Sequence, residues 1–188
     1  MKKKLLLIFL VSLLLINTIF PVAFSQGNGE TILLDQDITA FEADCPEATY
    51  KGKFIRIEDE TATEGFCIRI DPTAAAQVNT PDPSEPGELI YPLTVPEAGV
   101  YTIWVRGIFA DTSSDSIYYR IDENTVWSTK SPSYKEEWQW VNVAMKYIDK
   151  GTHTLEFRAR EKYNIRIDKI LISKKSPLSP TGQTGQRK

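Results

Sequence analysis

Four tryptophans, eight tyrosines and a scatter of arginines carry most of the chain's capacity for chemistry, and much of it falls at every second residue. In the run Val100 to Arg106, residues Tyr101, Ile103 and Val105 share one face, while Thr102, Trp104 and Arg106 share the other. In Asp115 to Asp122, Tyr118 and Arg120 fall opposite Ile117, Tyr119 and Ile121. In Trp138 to Val143, residues Trp138, Trp140 and Asn142 fall opposite Val141 and Val143, and Trp127 stands between these two runs. Such faces offer flat rings for stacking and planar groups for hydrogen bonding. They offer no activated nucleophile. The single histidine, His153, alternates with Leu155 and Phe157 and reads as a sheet or core residue. With one histidine and no Cys-x-x-Cys pair, a zinc site or a serine or cysteine triad is argued against.

These faces need strands to hold them, and the rest of the chain reads that way. No segment beyond residue 25 repeats apolar residues at helical spacing for three turns, whereas alternation at period two recurs throughout. The clearest strands are 39–44, 65–70, 88–95, 99–107, 115–122, 138–145, 152–160 and 165–173, with weaker ones at 32–35 and 54–57. Eight to ten short strands between turn-rich segments predict an all-β fold, a sandwich of two antiparallel sheets. The run TPDPSEPG between Thr80 and Gly87 holds three prolines and reads as a surface loop.

Of the 188 residues, the first 25 form a lysine-led apolar run, Leu5 to Ile16, that ends in Ala23-Phe24-Ser25. This is the pattern of a secretory signal peptide; a retained membrane anchor is the alternative, although the run is short for a span. The expected organisation is a signal peptide over 1–25, a sandwich over 26–173 and a flexible tail over 174–188, poor in large apolar groups. The leader holds three basic residues and the segment from Ser173 onward four more, so the body carries 15 basic against 25 acidic side chains. So acidic a body argues against nucleic-acid binding. Outside the cytosol Cys45 and Cys67 can pair, and closing the 22 positions between them would contribute roughly 3 kcal/mol. Two separately buried thiols are the alternative.

The segments GTHTLEFRAREKYNIRIDKILIS, VPEAGVYTIWVRG and SSDSIYYRID, with the Trp-Gln-Trp triplet at 138–140, resemble the carbohydrate-binding modules of families 6 and 35 and related galactose-binding-like sandwiches. FEAD at 41–44 resembles their opening strand, and TATEGF at 61–66 resembles one of their turns. The resemblance spans roughly 36–173 and implies a non-catalytic jelly roll, often appended to a polysaccharide-degrading enzyme and often holding a structural calcium ion. For that ion it implies Glu42, Asp44 and Asp168, with Asp44 replacing the usual glutamate. It implies a sugar site at one of two places. One lies in loops, at Asn164 and Tyr163. The other lies on a concave sheet face, for which Trp104, Tyr118, Trp127, Trp138 and Trp140 are the aromatic candidates and Arg106, Arg120 and Asn142 the polar ones.

Several readings compete on the same residues. Arg106, Arg120, Arg158, Arg160 and Arg166 could grip uronic acid carboxylates or pair with neighbours such as Glu156 and Glu161. The run Glu58-Asp59-Glu60 reads as a solvated turn, with a second cation site as the alternative. The leading expectation is a secreted, monomeric binder of a polysaccharide or oligosaccharide, free of the membrane after cleavage and working beside a separate degrading enzyme. A cell-surface or matrix sandwich that binds protein is the alternative. A glycosidase would need two carboxylates across a cleft, for which Glu136 or Glu137 with Glu161 can be nominated, but no spacing singles them out.

Overall fold

The computed structural model describes residues 27–35, 37–73, 81, 84, 86–112, 115–123, 125–131, 135–160 and 165–174. The expected signal peptide, half of the proline-rich loop, the tail beyond Lys174, and Tyr163 and Asn164 lie outside the described residues. Within them the elements are all strands: β1 (Ile32–Leu33), β2 (Ile38–Glu42), β3 (Thr49–Tyr50), β4 (Phe54–Glu58), β5 (Phe66–Ile70), β6 (Leu89–Val95), β7 (Gly99–Phe109), β8 (Ile117–Ile121), β9 (Ser128–Lys130), β10 (Lys135–Ile148), β11 (Gly151–Ala159) and β12 (Arg166–Ser173).

Two sheets face each other. The first runs β1-β6-β11-β8-β9, with β3 also on β6; the second runs β10-β7-β12-β5-β4, with β2 also on β12. Every pairing is antiparallel except β1 with β6. The period of two explains the core. From the first sheet Leu89, Tyr91, Leu93, Leu155 and Phe157 point inward, and from the second Tyr101, Ile103, Val105, Ile170 and Ile172 meet them. Tyr91 packs its ring 5.2 Å from Phe41 and 6.2 Å from Phe157, and its hydroxyl donates to the Ala43 carbonyl at 2.8 Å. A buried phenol therefore has its acceptor.

The second sheet carries two irregularities that reset which side chains reach its outer face. On β10 the register against β7 shifts between Asn142 and Ala144, so Val143 and Ala144 are both buried. On β12 it shifts between Ile167 and Lys169. Ile167 and Ile170 belong to the core, and the residues between them, Asp168 and Lys169, both bond to groups on the outer face.

Candidate ligand-binding face

The outer face of the second sheet is a grid set by register. Trp140 of β10 stands opposite Arg106 of β7, which stands opposite Lys169 of β12, which stands opposite Glu42 of β2. The next row is Asn142, Trp104, Leu171 and Ala40; the one after it is Met145, Thr102, Ser173 and Ile38; Tyr147 and Val100 complete the face. Directly opposed side chains lie about 5 Å apart at Cβ, so rings and polar groups alternate within reach of one ligand.

Exposure sorts the grid. Trp104 is 9% exposed and lies under its neighbours, a floor rather than an open ring. Trp140, Trp138 and Asn142 are half-buried and accessible. Met145, Tyr147, Val100 and Ile38 are exposed. Tyr147 and Met145 are not among the residues singled out from sequence, where the strand ends at residue 145, although their alternation with Lys146 carries the signal.

The turn at 59–65 closes one end of this face. Gly65 sits at φ +80°, a conformation natural to glycine, and its carbonyl accepts from the Asp59 amide at 2.9 Å. Thr61 Oγ1 accepts from Trp138 Nε1 at 2.9 Å, and the Arg106 guanidinium lies 4.9 Å over the Trp138 ring. Trp138 is thereby oriented from both sides. Asp59 accepts from the Thr61 amide at 3.0 Å, from Thr61 Oγ1 at 2.6 Å and from Arg166 Nη1 at 2.7 Å. Burial pushes its carboxyl up, but these bonds outweigh it and hold the group below the ordinary 3.8. The acidic run at 58–60 thus contributes a structural carboxylate.

Tyr118, Arg120 and Trp127 are elsewhere. They belong to the first sheet and its β8–β9 connection, so the eight sheet-face candidates do not form one surface. On that sheet Arg120 is 3% exposed and donates through Nε at 3.0 Å and Nη2 at 2.7 Å to Glu156, which is 1% exposed. Thr154 Oγ1 and the Gly87 amide also bond to Glu156, each at 3.0 Å, and the Trp127 ring lies 4.2 Å from the Arg120 guanidinium. Tyr118 is 4% exposed with Arg160 over its ring, and Arg160 donates to Ser116. These groups hold one another. His153 likewise is structural: its Nδ1 meets Asp122 Oδ2 at 2.8 Å and its Nε2 meets the Asp149 carbonyl at 3.0 Å.

The expected disulfide is not formed. Cys45 and Cys67 are both free thiols. Cys67 lies on the outer side of β5, 3.9 Å from Asp59 Oδ2, whereas Cys45 packs against the core cluster beyond β2. Burial and a neighbouring carboxylate, Glu47 for Cys45 and Asp59 for Cys67, push both thiols up to about 12.

The three residues implied for calcium do not converge on a cation. Glu42 Oε1 is 2.7 Å from Lys169 Nζ, Asp44 Oδ2 is 2.6 Å from Arg56 Nε, and Asp168, fully buried, is bound by Arg106 and by the Thr63 amide and hydroxyl. Among the described residues no three His, Cys, Asp or Glu side chains are grouped to hold a metal. Glu136 and Glu137 are both exposed on β10, and Glu161 is outside the described residues.

The same sandwich is found in solved carbohydrate-binding modules. A family 35 module from Clostridium thermocellum is 20% identical with a TM-score of 0.56, over 72% of this chain and 98% of its own. The C-terminal family 6 module of a marine laminarinase from Zobellia galactanivorans is 17% identical with a TM-score of 0.53, over 73% of this chain and 100% of its own. A β-1,4-mannanase of Podospora anserina that carries a family 35 module is 14% identical with a TM-score of 0.50, over 78% of this chain and 29% of its own. No protein-family model matches the sequence, and no curated protein matches it. The fold is therefore that of the family 35 and family 6 modules.

Proposed function

We propose that the chain is a secreted, non-catalytic carbohydrate-binding module that holds a polysaccharide on the outer face of its β10-β7-β12 sheet. The observation that carries this is the alternation of Trp140, Arg106, Asn142 and Trp104 as cross-strand pairs, continued by the exposed Tyr147. Sugar rings present C–H patches that stack on aromatic faces, and their hydroxyls need the planar donors and acceptors set between those rings. The shared fold supports the reading; the site rests on the residues themselves.

The cations nearest Trp140 indicate the ligand's charge. Arg106 is paired with Asp168 and Lys169 with Glu42, so the charge of each is already matched by a carboxylate of the chain. A neutral polysaccharide fits this face better than an acidic one. The N-terminal signal pattern supports export, where a polysaccharide and a separate degrading enzyme would be met.

Affinity gel electrophoresis against a panel of neutral and acidic plant and algal polysaccharides tests the proposal. Retardation by a neutral polymer supports it. A folded protein retarded by none of them contradicts it for those ligands and turns attention to the exposed Met145, Val100, Ile38 and Tyr147 as a protein-docking patch.

A further inference from the structure

We infer that this chain holds the junction of its opening strand, its 59–65 turn and its last strand with three side-chain cations of its own, where the resemblance implies a calcium ion. Lys169 serves Glu42, Arg56 serves Asp44, and Arg106 serves Asp168.

Calcium takes six to eight oxygen ligands at about 2.3–2.6 Å, so its carboxylates must turn toward one point. Here each of the three turns toward a different nitrogen. Each of the three carboxylates has its own cation, so a divalent ion placed among them would meet three positive groups as well as Glu64, which lines the same recess.

The register explains how Lys169 reaches its place. Ile167 is in the core, and in a regular strand Lys169 would share its inward face. The shift between Ile167 and Lys169 against β7 lets Lys169 join Asp168 on the outer face, directly across from Glu42 on one side and Arg106 on the other. Arg106 bonds to Asp168 and donates to Thr63 Oγ1 at 3.2 Å. Asp168 accepts from the Thr63 amide at 2.9 Å and from Thr63 Oγ1 at 2.8 Å, and its main-chain carbonyl accepts from the Ala43 amide at 2.8 Å. The opening strand, the turn and the last strand are thus tied by direct bonds. Glu42 Oε2 is buried without a hydrogen-bond partner, but one carboxylate oxygen beside Lys169 does not make a calcium cage.

The test uses the full chain. Thermal melts are recorded by circular dichroism in EDTA and in excess calcium chloride, and calcium chloride alone is titrated into the protein in a calorimeter. Coincident melts and no saturable heat are expected; a melting temperature raised by calcium and lowered by EDTA, with saturable binding, overturns the inference. A double-mutant cycle on Lys169→Met and Glu42→Gln supplies the second arm. Each single variant is expected to melt lower than the parent and the double variant to recover part of the combined loss. Strictly additive losses overturn the role given to Lys169. Should Lys169→Met fail to fold, the chelation arm still decides.

Discussion

Arg120 and Glu156 show how far a side chain's type can diverge from its use. An arginine beside aromatic residues looks ready for a ligand, yet its guanidinium is buried against a carboxylate and a tryptophan ring. Removing one member of a buried pair strands the other charge, so Arg120→Met is expected to lower stability by about 3–5 kcal/mol, and Arg120→Met with Glu156→Leu by less. Urea denaturation of the single and double variants measures this. The cysteines make a second prediction at this scale. With Cys67 buried, Cys45 half-buried and both thiols pushed up to about 12, Ellman's reagent is expected to react slowly with the native chain and to count two thiols per chain after unfolding. Dithiothreitol should leave the melting temperature unchanged. Sequence spacing allowed the pair to close, but could not show that one sulfur lies on the outer side of β5 and the other against the core.

At the scale of the element, the 59–65 turn links stability to the face. Its central acid, Asp59, has a folded value below the unfolded 3.8. Its contribution is therefore complete above that value and is lost as pH falls through the lower, folded one. Asp59→Asn is expected to melt below the parent at neutral pH, with the two melts converging in acid; circular dichroism melts across the acid range check it. Most strands were legible from alternation, because one face of each must enter the core and the other must not. β3 and β9, two and three residues long, were not, since so short a segment shows no period. β10 runs three residues beyond its expected end because the shift at Asn142/Ala144 breaks the alternation without breaking the strand, and this hid Tyr147.

At the scale of the whole molecule, alternation separates inside from outside but does not say which sheet a strand joins. β8 follows β7 in sequence yet pairs with β11 and β9 across the sandwich, so Tyr118 and Arg120 face outward on the side opposite Trp104 and Arg106. What looks from sequence like one aromatic face is two. Trp104, Trp138 and Trp140 belong to the second sheet, and Trp127 to the first sheet's β8–β9 connection. That separation makes the assignment of the binding face testable in one spectrum, because the four indole N–H groups report on two opposite surfaces. The decisive experiment is a titration of the ¹⁵N-labelled protein with the neutral polysaccharide that retards it, following the four indole signals. The Trp140 signal is expected to shift most while Trp127 stays in place; a Trp127 shift with Trp140 unmoved would place the ligand on the other sheet and contradict the assignment.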